Sequence, residues 1–389
     1  MFAKRNDQIQ PFRVMEILAR AAYHEGQGCR VVHFEVGEPD FETAAPIVAA
    51  GQEALSTGRT KYTQAVGIPE LRAAIASHYA AMDVLVAPER IIVTAGASGG
   101  LTLLAALLLD PGDEMLITDP GYPCNEVFTR LVGAIPRPLP VFAEQRFQPS
   151  PADVRRAWNG STKGALLASP ANPTGTMLPR QWLHDIAAFT RQREGFLILD
   201  EIYQGLTTHA DYQSGLQVDD GIYVLNSFSK FFGMTGWRLG WLVVPEIAIE
   251  ATTKLAQNLF IAPSTPAQYA ALAAFSDAAM LIHQQRAATF AQRAELLSTG
   301  LLALGFNIPV HPDGAFYLFV DIAHTGMNAG DFTRRLLDEF QVAVTPGADF
   351  GEHYADFVRF AYTTDEVSIK LGLDRLAAAL IEWGINAAP

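Results

Sequence analysis

Short, wholly apolar runs alternate along the chain with longer stretches in which apolar residues recur every three or four positions. Runs of Val, Ile and Leu predict strands at 91–93, 115–118, 165–168, 196–199, 223–225 and 239–243. The spacing predicts helices at 99–109, 124–132 and 179–191 between them. Continuous apolar strands bounded by Gly, Pro and Asp and separated by helices belong to a mostly parallel sheet covered on both faces. In such a sheet, functional residues collect in the loops that follow the carboxyl ends of the strands.

Beyond Pro245 the pattern changes. Helical spacing over 246–260 and 265–304 leads into an apolar run at 315–320, a helix at 328–340, short runs at 342–345 and 357–361, and a terminal helix. That is the pattern of a smaller α+β unit. The first 45 or so residues are expected to pack against it. No internal repeat, low-complexity tract or polar linker interrupts the chain.

Composition narrows the field. The 389 residues are 49% hydrophobic and 18% charged, enough to bury a large core. A formal net charge of −13 makes phosphate backbones and anionic lipid poor partners, so neither nucleic acid nor membrane is expected. The longest apolar run, 101–109, is too short to span a bilayer, and MFAKRNDQIQPF has no apolar run after its basic residues. Cys29 and Cys124 cannot form a disulfide framework or a four-sulfur zinc site. A cytoplasmic protein is the expectation.

The segment SFSKFFGMTGWRLGW, 227–241, holds Lys230 and Arg238 among aromatics, glycines and hydroxyls. A snorkelling surface lysine is one reading. Crowding by Phe228, Phe231, Phe232 and Met234 favours the other, a desolvated amine of lowered pKa able to attack a carbonyl. Arg238, between Gly236 and Gly240, suits a guanidinium held close to a phosphate. Asp200, after four apolar residues in FLILDEIYQGL, reads either as a helix N-cap or as an anion facing a buried cation. SPANPTG, 169–175, is a turn by composition, and its Asn172 could present an amide to a ligand. TAGASGGL, 94–101, joins a strand to a helix and is a plain glycine turn or an anion cradle. Tyr122 in DPGYPCNE is a turn aromatic packing on the core or a plate for a flat ligand, while Tyr62 in KYTQAVGIPELR, a single tyrosine ahead of a helix, says little by itself. Arg359 in FVRFAY is a carboxylate clamp or half of a structural ion pair. There is no GxxxxGK[ST], no GxGxxG and no HExxH, so nucleotide-loop and metalloprotease chemistry are not expected. Together the parts are a Schiff-base lysine, a carboxylate, an anion cradle, a flat aromatic and a second anion clamp: the set a pyridoxal phosphate enzyme needs.

At this point the sequence resembles the class I/II aminotransferases, the fold-type I pyridoxal phosphate family. GEPDF, KYTQAVGIPELR, TAGASGGL, DPGYP, SPANPTG, LDEIY, SFSKFFGMTGWRLGW and VRFAY occur in the family's order over nearly the whole chain. The resemblance implies an α/β fold with a mostly parallel seven-stranded sheet between helices and a smaller α+β domain. It divides the chain into an arm at 1–45, a large domain at 46–284 and a small one at 285–389. It implies that Lys230 holds pyridoxal 5′-phosphate as a Schiff base and shuttles the substrate proton. Asp200 would pair with the ring nitrogen, Tyr203 and Asn172 would bond the ring's phenolic oxygen, and Tyr122 would stack on the ring. Ala97, Ser98, Ser227, Ser229 and Arg238 would hold the phosphate, with Tyr62 reaching it from the neighbouring subunit of a homodimer. Arg359, Asn172 and the backbone of Gly37 would bind the substrate α-carboxylate, with Asn258 and Phe316 as candidates for the side-chain pocket. Some bacterial aspartate-type members carry a lysine where this chain has Ser98, so strict aspartate specificity does not carry over.

The activity implied is ping-pong exchange of an amino group between an L-amino acid and a 2-oxo acid. A β-eliminating C–S lyase is the alternative on the same residues. A ligand-sensing regulator of this fold is disfavoured, because the resemblance begins near residue 1 and the acidic chain offers no basic patch.

Overall fold

The computed structural model describes residues 2–9, 14–208 and 211–385; the chain limits expected for the arm and the small domain, residues 1 and 389, lie outside the described residues. The strands are β1 Val32–His33, β2 Ile91–Thr94, β3 Glu114–Asp119, β4 Ile135–Pro140, β5 Thr162–Ala168, β6 Phe196–Asp200, β7 Tyr223–Ser227, β8 Gly240–Val243, β9 Tyr317–Asp321, β10 Val342–Ala343, β11 Thr345–Pro346 and β12 Phe357–Ala361. The helices are α1 Val14–Gly26, α2 Ala45–Ser56, α3 Pro69–Ala80, α4 Gly96–Leu108, α5 Cys124–Leu131, α6 Pro151–Ala157, α7 Arg180–Gln192, α8 Ile249–Leu259, α9 Thr265–Leu272, α10 Asp277–Ala303, α11 Ala329–Phe340 and α12 Glu366–Glu382.

Seven strands form the central sheet in the order β2-β8-β7-β6-β5-β3-β4. All neighbours are parallel except β8, which runs against both β7 and β2. Successive residues of a strand face opposite sides, and here both sides are covered. Ile92, Leu166, Ile198 and Leu242 join the core under α4 and α8. Val93, Leu167, Leu199 and Val243 join the core that includes Leu71 and Ile75 of α3, Leu183 and Ile186 of α7 and Ala267 of α9. That two-sided burial is why these strands read as unbroken apolar runs.

The strand absent from the hydrophobic pattern is β4, IPRPLP. Its prolines at 136, 138 and 140 alternate, so every missing N–H lies on one edge. The flanking donors face the other way: Ile135 N bonds Asp113 O at 2.8 Å and Val141 N bonds Asp119 O at 2.9 Å. The prolines thus close the sheet's outer edge to further pairing.

A second, antiparallel sheet has the order β11-β12-β9, and β1 pairs in parallel with β10. The run at 342–345 is therefore two strands serving two sheets. The long helical stretch at 265–304 is also two helices, separated by a short turn at 273–275 and by Ser276, whose extended backbone and Oγ cap Ala279 N. Residues near the start of the chain pack on its later part: Ala21 and Val31 share a cluster with Leu337 and Ala343, and Arg20 pairs with Asp338. Among the described residues no helix is long and apolar enough to cross a membrane.

Candidate active site

Strand register decides which loops meet. Ala168, Asp200 and Leu225 stand side by side on β5, β6 and β7, so the segments after those strands emerge together. Because β8 runs the other way, it starts at this same edge, with Gly240 opposite both Ser227 of β7 and Thr94 of β2. The reversal brings Arg238, just before β8, to the first turn of α4. The meeting point is a cavity of about 250 Å³.

Twelve of the fifteen residues expected at the site line that cavity: Gly37, Ala97, Ser98, Tyr122, Asn172, Asp200, Tyr203, Ser227, Ser229, Lys230, Arg238 and Arg359. Tyr62 does not; it is 82% exposed on its own chain. Asn258 is exposed and bonds Lys254 O at 2.8 Å along its own helix, so it does not line the cavity. Phe316 is fully buried behind Tyr203, edge to face at 5.4 Å, and supports the wall rather than facing the cavity.

Asp200 ends β6 and is followed by turns, so there is no helix for it to cap. It is 6% exposed and accepts a hydrogen bond from Ile202 N at 3.0 Å. Burial pushes its carboxyl up to about 7, against the pull of that N–H and of the Lys230 charge. Lys230 Nζ donates to Gly37 O at 2.5 Å and lies 5.6 Å from the Phe316 ring centre. Burial lowers its amine to about 8; Glu38 and Asp200 oppose the shift, while Arg359 and Arg238 add to it. An amine of that pKa carries an appreciable neutral, nucleophilic fraction near neutral pH.

The corner around Arg238 is built for an anion. Ala97 and Ser98 lie in the first turn of α4, whose N–H groups have no partners within the helix. Gly96, at φ 71°, leaves room for Arg238: a Cβ there would stand 2.6 Å from its Nη2. Gly240 likewise admits the turn against β8, since its Cβ would lie 3.1 Å from Ala97 N. Ser227 Oγ accepts from Ser229 N at 3.1 Å, which sets both hydroxyl-bearing residues beside the turn.

The corner around Arg359 differs. This residue is 5% exposed and bonds Asn172 Oδ1 at 2.9 Å, Glu35 O at 2.6 Å and Thr345 Oγ1 at 3.3 Å. Among the described residues no carboxylate pairs with it, and its Nε has no protein acceptor. The structural ion pair is therefore absent there, and a buried cation with free donor capacity faces the cavity. Sequence reasoning missed Tyr317, whose ring lies 4.4 Å from the Arg359 guanidinium carbon and whose hydroxyl sits 2.9 Å from that of Tyr203.

These residues can bind two anionic groups, present a nucleophilic amine to a carbonyl, and offer a buried carboxylate to a cationic nitrogen. A family described as "Aminotransferase class I and II" matches residues 30–376 of the chain. The chain is 37% identical to a (5-formylfuran-3-yl)methyl phosphate transaminase of Methanocaldococcus jannaschii, over 97% of this chain and 98% of that protein. It is 35% identical to a probable aspartate/prephenate aminotransferase of Thermus aquaticus, over 97% and 99% of the two chains. Its fold superposes on the crystal structure of an aminotransferase from Mycobacterium tuberculosis with a TM-score of 0.95, at 34% identity and with 98% and 99% of the chains covered.

Proposed function

Because the chain belongs to the class I and II aminotransferases, we propose that it passes an amino group from an L-amino acid to a 2-oxo acid in two alternating half-reactions, with pyridoxal 5′-phosphate held as a Schiff base on Lys230. Family and fold imply dependence on this cofactor in general. The residues present fit it: an open helix turn beside Arg238, a buried carboxylate and an amine of lowered pKa line one cavity. When bound, the cofactor supplies an electron-poor ring that accepts the electron pair left as the substrate Cα–H bond breaks.

The chain's own groups do the rest. Ala97, Ser98, Ser227, Ser229 and Arg238 hold the phosphate, and Tyr122 covers a ring face. Asp200 holds the proton on the ring nitrogen, since a cation against it restores the ionised state that burial alone disfavours. Tyr203 and Asn172 donate to the ring's phenolic oxygen. Arg359 grips the α-carboxylate, helped by Asn172 and the Gly37 backbone, and so orients the Cα–H bond toward Lys230. Lys230 Nζ takes the Cα proton and gives it up again in the return half-reaction. Tyr62, exposed and away from its own cavity, serves the phosphate of a second copy, which makes the working unit a homodimer with shared sites.

The observation that carries this reading is the Lys230 amine, lowered to about 8 in a cavity that both guanidinium groups also line. The test is an absorbance spectrum of the purified, cofactor-loaded protein before and after a panel of amino acids. A visible band that converts to the amine form with some donors supports the reading and ranks them. Release of ammonia and pyruvate without return of an amino group would favour the lyase. Lys230→Ala is expected to fold and lose turnover by at least about a thousandfold; substantial remaining transamination refutes the assignment.

A further inference from the structure

Tyr317 lies in YLFVD, a strand whose neighbours are apolar, and nothing in that pattern separates it from a core aromatic. Register gives it a place. On paired strands Arg359 stands opposite Phe319 and Ala361 opposite Tyr317, so Tyr317 is the diagonal neighbour of Arg359 on one face. The ring therefore meets the guanidinium, 4.4 Å from ring centre to Cζ. Its hydroxyl meets Tyr203's at 2.9 Å, with the rings edge to face at 5.7 Å. Tyr317 and Tyr203 are 1% and 3% exposed, so no bulk water competes for that bond. The hydroxyl also lies against Gly37: a Cβ at residue 37 would overlap it, and Gly37 O is the acceptor of Lys230 Nζ. One side chain thus touches the clamp, the phenol and the segment that receives the lysine.

We propose that Tyr317 is a positioning residue for both halves of the site: its ring fixes the Arg359 guanidinium for the substrate carboxylate, and its hydroxyl donates to Tyr203. The inference rests on the cofactor reading above. Between two phenols one proton is shared, so one must donate and the other accept. If Tyr203 donates its proton to the cofactor's ring oxygen, the proton between the two phenols comes from Tyr317. Accepting that bond polarises the Tyr203 O–H and makes it the stronger donor. A stronger donor would withdraw charge from the ring oxygen and so lower the proton affinity of Lys230 Nζ, the nitrogen of the Schiff base. Removing the Tyr317 hydroxyl should then raise that affinity.

The experiment is a spectrophotometric pH titration of the loaded enzyme and of Tyr317→Phe, Tyr203→Phe and the double variant. Both single variants should move the midpoint of the visible band upward, Tyr317→Phe by about half a unit. In the Tyr203→Phe background the added Tyr317→Phe should shift nothing further. Propionate, a carboxylate with no amino group, probes the other half. Its Kd should stay within about twofold in Tyr317→Phe, which keeps the ring, and rise about tenfold in Tyr317→Leu, which loses the cation–π contact. An unmoved midpoint in Tyr317→Phe, a shift that persists without the Tyr203 hydroxyl, or wild-type propionate binding in a folded Tyr317→Leu overturns the proposal. If Tyr317→Leu does not fold, the two phenylalanine titrations still decide. A wild-type protein with no visible band in added cofactor sinks the cofactor reading itself, which separates the two failures.

Discussion

Arg238 and Arg359 serve one cavity from surroundings of opposite kinds. Arg238 is exposed, sits in the left-handed region at φ 53°, and bonds Thr235 O only three residues away. Its other neighbours, the first turn of α4 and the serines at 227 and 229, come from two short stretches that strand pairing lays side by side. Arg359 is buried, and its partners come from Glu35, Asn172, Tyr317, Thr345 and Phe350, spread over most of the chain. The first corner is open and made where two short segments meet; the second draws on five segments and is already packed before any ligand arrives. On the proposed function the site would release one small molecule and accept another in each cycle while keeping the cofactor, and its substrate clamp would then have to stay in place without the substrate.

Exchanging the two arginines' properties would break that contrast. Arg359→Ala has the largest expected effect. It removes a buried cation and strands Asn172 Oδ1 and the Glu35 carbonyl, so kcat/KM should fall by about a thousandfold, mostly through KM, with the cofactor band intact. Arg359→Lys should recover little, because an ammonium has only three donors, and bonding Asn172, Glu35 and Thr345 would leave none for a bidentate hold on the carboxylate. Arg238→Ala should give the reverse pattern at smaller scale. The group is exposed and its charge screened, so cofactor Kd should rise about 10- to 100-fold, with substrate KM within about twofold at saturating cofactor. Equilibrium dialysis of the cofactor and steady-state kinetics read the two separately; the opposite split would reverse the assignments.

The same contrast explains what could be read from the chain. Lys230, Asp200, Arg238 and Ser98 stand in contiguous segments whose residue types already state the chemistry, and these segments enclose one cavity. Tyr317 could not be found that way, because only the pairing of Tyr317–Asp321 with Phe357–Ala361 makes it a neighbour of Arg359. The central sheet was legible where both faces are buried, since two apolar faces give an unbroken run. It was not legible at Ile135–Pro140, where alternate prolines trade hydrophobic pattern for a closed edge. Nor could periodicity divide 265–304, because the break depends on one extended residue, Ser276. Asn258 is the instructive miss: helical position alone could not say that its amide turns back to Lys254.

Asp200 belongs to neither corner and gives the smallest and sharpest test. Its carboxyl is near 7 in the fold because burial outweighs the Ile202 N–H and the Lys230 charge, against an ordinary value of 3.8. Between those values the folded chain binds a proton that the unfolded chain has lost, so the stability of the cofactor-free protein should fall as pH rises through that window. Below it both states are protonated, and above it both are ionised, so the dependence ends at either side. Glu201, buried beside it and raised to about 8, slopes the same way; its shift comes first from burial, which wild type and variant share, so it cancels between them except for the smaller part that the Asp200 charge supplies. Lys230 acts in a higher window, between about 8 and 10.5, with the opposite sign. Urea midpoints of cofactor-free wild type and Asp200→Asn at pH 5, 6 and 7 should therefore diverge, the variant losing about 2 kcal/mol less over the range. Cofactor should flatten the wild-type slope as well, because a cationic nitrogen against Asp200 draws its pKa back down. Equal slopes in the cofactor-free pair would mean that burial leaves this carboxyl ionised unaided, and the reason for placing it against the ring nitrogen would be gone.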